Sequence, residues 1–73
     1  MATVEISSSA EQIGETAGLV WHTLDKKGRL SLVQLVRQVK APRDCVMQAI
    51  GWLAREEKID IEDTGRNKFV SLL

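Results

Sequence analysis

The chain has 73 residues, ten basic and ten acidic side chains, a formal net charge of zero, a hydrophobic content of 44% and a single cysteine. That length holds one domain around one small core, and the charge balance excludes a disordered polyelectrolyte and weakens the case for strong non-specific attraction to nucleic acid. Cys45 has no disulfide partner and no ligand-spaced companions for zinc, and no apolar run nears the roughly 20 residues of a membrane span.

The first residues, Met1-Ala2-Thr3-Val4-Glu5-Ile6, lack the basic and apolar regions of a secretory signal, so a cytoplasmic protein with no membrane partner is expected. Thr3 to Ser7 alternate, which predicts an N-terminal arm or short edge strand over residues 1–7, ahead of a single domain over 8–73. Ser8 with Glu11 three residues on is a capping-box pattern, and the first helix is expected to start there. Ile13, Ala17, Val20, Trp21 and Leu24 recur at helical spacing and form its buried stripe. Gly14 and Gly18 lie one turn apart. Each costs about 1 kcal/mol against alanine inside a helix, which predicts that another backbone comes close there. Lys26 and Lys27 suit the negative end of the helix dipole, and Gly28 closes the helix.

Arg29-Leu30-Ser31 reads as a brief extended link of the kind that pairs with a wing. Ser31 caps a second helix expected over Ser31–Lys40, with Gln34 at the capping-box position and Leu32, Leu35, Val36 and Val39 as its apolar face. Pro42 pushes Ala41 out of helical geometry and suits the first turn of a third helix. In that helix Val46, Ala49, Ile50 and Leu53 point one way. Asp44, Gln48, Gly51 and Arg55 point the other, with Met47 and Trp52 on the flanks. Ile59-Asp60-Ile61-Glu62 then alternates, Asp63-Thr64-Gly65-Arg66 is a turn whose glycine supplies positive φ, and Asn67 to Leu72 returns. The order helix, short strand, helix, helix, strand, strand spells a mainly α fold with a small β-wing (α+β), a winged helix-turn-helix.

Ile13-Gly14-Glu15-Thr16-Ala17-Gly18-Leu19-Val20-Trp21, together with Ala49-Ile50-Gly51-Trp52-Leu53-Ala54-Arg55-Glu56, resembles a family of small bacterial and archaeal winged helix-turn-helix proteins of uncharacterised function. The likeness runs from about Gln12 to Leu72. It implies a stand-alone winged helix and a homodimer, and it carries over no catalytic or metal-binding residue. Glu57 departs from the pattern, which has glycine there, and this puts the end of the third helix in question.

Charge is segregated along the chain. Residues 1–25 hold Glu5, Glu11, Glu15 and Asp25 and no base. Lys26, Lys27, Arg29, Arg37, Lys40 and Arg43 follow without an acid, and from Asp44 to Asp63 six acids face Arg55 and Lys58. The second helix of a helix-turn-helix is the one that enters a DNA groove, which makes double-stranded DNA the candidate partner of a transcription-associated module. Arg43, Gln48 and Arg55 are the candidates for base or groove contact. Arg37, Lys40, Arg66 and Lys68 are the candidates for the phosphate backbone. Asp44 beside Arg43, and Glu56 and Glu57 beside Arg55, count against strong binding.

The alternative is a winged helix kept for protein association or homodimerisation without DNA, using Val4, Ile6, Met47 and Trp52. The burial habits of tryptophan favour packing of Trp52 against the wing, and exposure would make it a hot spot. A basic stripe through Arg37, Arg43 and Arg66 would favour DNA; an apolar patch around Trp52 would favour association. His22 stands alone, and no phosphate loop, nucleophile elbow or paired-carboxylate site is present, so neither an enzyme nor a small-molecule substrate is expected.

Overall fold

The computed structural model describes the backbone of residues 5–73 and the side chains from Ala10 onward. The elements are α1 (Glu5–Lys27), β1 (Leu30–Ser31), α2 (Leu32–Gln38), α3 (Arg43–Arg55), β2 (Ile59–Asp63) and β3 (Lys68–Leu72). The three strands form an antiparallel sheet in the order β1-β3-β2. Leu30 sits opposite Val70, and Val70 opposite Ile61, so one register row crosses all three strands. This is the winged-helix order expected from the sequence.

The core forms where α1 crosses α3 above the sheet. Ala17, Val20 and Leu24 of α1 meet Leu35 and Val39, then Val46, Ala49, Ile50 and Leu53 of α3, closed below by Ile59 and Val70. The helical spacing of these residues gathers them on one face per helix, which is what lets a chain this short enclose a core. Of the stripe expected on α1, Ile13 and Trp21 are half-buried, because they lie at its margins.

Several ends differ from expectation. α1 begins at Glu5, so it runs through Ser8 rather than starting there, and Ile6 is helical rather than part of an edge strand. The alternation over residues 3–7 was too short to outweigh extension of a long helix by another turn. Val4 lies outside the described residues. Gly14 and Gly18 have open space where a Cβ would stand, so no backbone of the described chain approaches them.

α2 does open on the capping box: the Gln34 amide donates to Ser31 Oγ at 3.2 Å, and Ser31 N–H donates to Gln34 Oε1 at 3.0 Å. It stops at Gln38, earlier than expected, because Val39 is already extended at φ −84° and ψ 122°. Burial of Val39 in the core therefore sets this end, and Pro42 instead takes the N-cap position of α3.

The end of α3 answers the question Glu57 raised. Lys58 N–H donates to Leu53 O at 3.0 Å and Glu57 N–H to Ala54 O at 3.1 Å, the paired bonds of a Schellman cap. Its left-handed position is filled by Glu57 at φ 60°, a conformation that costs an L-residue roughly 1–2 kcal/mol. The cap forms where the family pattern puts it, without the glycine that makes it easy.

Candidate functional site on the third helix

At about 100° per residue, the exposed positions of α3 fall on one broad arc. Asp44, Gln48, Gly51 and Arg55 occupy its middle. Met47 flanks it on the wing side, and Trp52 flanks it on the α1 side, about 140° round the helix from Met47. Trp52 keeps 51% of its surface exposed and Met47 39%. The expectation that Trp52 packs into the core against the wing therefore fails. Leu53, one residue on, takes the inward position, and the 100° step turns the indole outward.

Each flank opens into an apolar hollow. On the wing side, a groove of about 220 Å³ is lined by Leu32, Met47, Ile50, Gly51, Ile61, Val70 and Lys68. On the other side, Trp52 walls a smaller hollow of about 110 Å³ with Ala10, Ile13 and Gly14. Gly51 lies between, with nothing within 4 Å of the place a Cβ would occupy. Ile61 is the residue that sequence reasoning missed. Its alternation assigns it to the core face, yet it is 39% exposed, in the wall of the wing-side groove.

The candidate DNA residues are spread over three elements and two connections. Arg37 is in the last turn of α2, Lys40 is in the connection that follows, Arg43, Gln48 and Arg55 are on α3, Arg66 is in the hairpin turn and Lys68 opens β3; all are exposed. Lys68 is partly committed, since its Nζ lies 3.6 Å from Asp63 Oδ2. Asp63 also accepts from Gly65 N–H at 2.9 Å across the turn. That backbone bond first, and the Lys68 charge second, hold the Asp63 carboxyl below its ordinary value of 3.8. On the outer face of the sheet, the Arg29 guanidinium lies 4.1 Å from the Phe69 ring centre and donates to Glu62 Oε1 at 2.6 Å. One of the six bases between Lys26 and Arg43 is thereby used to lace β1 to the wing. His22 sets its ring edge-on to Trp21 at 5.4 Å. Among the described residues no group of His, Cys, Asp or Glu is arranged to hold a metal, and no helix is long and apolar enough to cross a membrane.

A three-helix core, a helix-turn-helix corner at Pro42 and a two-stranded wing laced to β1 define the winged-helix class. The chain belongs to the winged helix-turn-helix domain family DUF2582, whose sequence profile matches residues 8–72. An uncharacterised protein of Methanocaldococcus jannaschii, MJ1608, is 42% identical over 50 residues, spanning 66% of this chain and 71% of its own. The solution structure of BT2368 from Bacteroides thetaiotaomicron is similar with a TM-score of 0.75 and 34% identity, over 85% of this chain and 76% of that one. BpsR of Bordetella bronchiseptica, a protein whose DNA binding is regulated by 6-hydroxynicotinic acid, shares the fold with a TM-score of 0.72 at 16% identity. That match covers 100% of this chain and 63% of BpsR.

Proposed function

We propose that this winged helix works by association, with α3 of one copy lying antiparallel against α3 of a second in a homodimer. The observation that carries the reading is the exposed apolar flank pair, Met47 and Trp52, on the face a DNA reader would give to polar and basic side chains. The occupant follows from the spacing. Residues 44 and 55, 47 and 52, and 48 and 51 are each equidistant from the point between Ala49 and Ile50. A twofold axis there sets Asp44 against Arg55 of the other copy and Gln48 against the bare backbone of Gly51, and it brings each apolar flank beside its own counterpart, Trp52 beside Trp52 and Met47 beside Met47. Each contact between unlike residues occurs twice, as an isologous interface requires. The charges are opposite, indole meets indole along one flank, and the glycine leaves room for close helix approach. A small single core gains most from such support.

Charge exchange tests this pairing. Asp44→Arg alone and Arg55→Asp alone set like charges face to face and should yield monomers in sedimentation velocity. The two together restore opposite charges and should restore the dimer. A double variant that stays monomeric while its thermal melt matches the wild type would contradict the pairing.

A second reading is DNA binding, supported by the fold class, by the activity of BpsR, and by the exposure of Arg43, Gln48 and Arg55. It uses the same arc of α3, so both readings cannot hold for one copy at one time. Anisotropy of a labelled duplex distinguishes them: binding abolished by Arg43→Ala with Gln48→Ala, and strengthened by Trp52→Ser, would favour DNA as the occupant of the arc.

A further inference from the structure

A concavity lies away from α3, where the C-terminal ends of α1 and α2 meet. It has a volume of about 520 Å³ and is lined by Leu19, His22, Thr23, Asp25, Lys26, Lys27 and Gln38. Lys40 stands two residues past Gln38, within about 8 Å of backbone. The ion pairs Arg29–Glu62 and Lys68–Asp63 engage none of these three lysines. Asp25 is the one acid in the lining. The next acid back along α1 is Glu15, ten residues away, or about 15 Å. The negative ends of the α1 and α2 dipoles, about half a charge each, and Asp25 offset much of the lysine charge, and with Lys40 counted a positive excess of about one charge remains.

We infer that this end of the molecule is a contact surface for the phosphodiester backbone of a nucleic acid, separate from the α3 arc and independent of its occupant. The chemistry of the lining selects that ligand class. Its cations are lysines, which act as point charges toward single phosphate oxygens, whereas a phosphorylated side chain is held best by the forked geometry of arginine, absent from this lining. The surface is concave, which admits the ridge of a backbone and keeps a flat lipid headgroup layer at a distance. Thr23 and Gln38 add hydrogen-bonding groups without charge, and nothing in the lining is shaped to read a base edge, so the contact is sequence-independent. Charge segregated toward one end thus gives a neutral protein a local pull on a polyanion.

The test is the salt dependence of anisotropy for a labelled mixed-sequence duplex, measured on the full chain between about 50 and 200 mM salt. Three lysine–phosphate contacts predict a log–log slope of about −2.7, falling to about −0.9 in Lys26→Gln with Lys27→Gln, where Lys40 alone remains. Lys26→Arg with Lys27→Arg keeps the charge and should keep the slope. No binding by the wild type at the low-salt end overturns the inference. So does a slope unchanged in the glutamine variant, or one that falls with Arg43→Ala instead. Sedimentation of the same variants reads association separately, and it should not change.

Discussion

The two faces of α3 carry comparable apolar side chains and meet opposite fates. Val46, Ala49, Ile50 and Leu53 are buried against α1 and the sheet, while Met47 and Trp52 stand in solvent around an open glycine. On the inner face the neighbours are supplied by the chain itself, so those residues report on folding. On the outer face the chain supplies walls and no lid, so those residues report on a partner. Hydrophobicity alone does not separate the faces. What separates them is the phase of the helix relative to α1 and the wing.

Adjacent residues make the sharpest test of that division. Leu53→Ala should cost about 2–5 kcal/mol and lower the melting temperature at every protein concentration. Trp52→Ser should change the melt of a dilute, monomeric sample by less than about 0.5 kcal/mol, the usual range for a surface position. A large loss at Trp52 under those conditions would mean that the indole is core after all. The end of the same helix supplies a smaller effect of opposite sign. Glu57→Gly removes the left-handed strain and should stabilise the domain by about 1 kcal/mol, read from denaturant unfolding. A loss would show that the Glu57 side chain gives back more than its backbone costs.

Smallest is the wing turn, which lies apart from both faces. The Asp63 carboxyl titrates below its ordinary value of 3.8, so it stabilises the fold above that pH, and the contribution is lost as pH falls through the lower, folded value. Asp63→Asn cannot ionise. Its melting temperature should therefore lie below that of the wild type at neutral pH and converge with it in acid. A difference that widens toward low pH would contradict the assignment.

Much of the fold is legible in the amino-acid sequence. The capping box at Ser31 and Gln34, the glycine at the wing turn and the helical spacing of the core residues each act locally, and each is found where the sequence puts it. What misled was context. Thr3 to Ser7 alternate like a strand, yet the described part of that segment is helical. Pro42 is a helix breaker, yet burial of Val39 ended α2 first. At Trp52 composition argued for burial while helix phase decided for exposure, and Ile61, on the inward face by alternation, lines an open groove. The symmetric spacing of Asp44 with Arg55 and of Gln48 with Gly51 is written in the sequence, but it acquires meaning only once the arc that bears them is known to be open.

The most direct measurement is an isotope-filtered nuclear Overhauser experiment on a mixed sample of labelled and unlabelled chains. Antiparallel pairing of α3 predicts intermolecular contacts between the Trp52 indoles of the two copies. No such contact would be expected from Trp52 to Ala17 or Leu24 across copies. A sample that sediments as a dimer while Trp52 gives intramolecular contacts only would contradict the account, and would move the interface off the third helix.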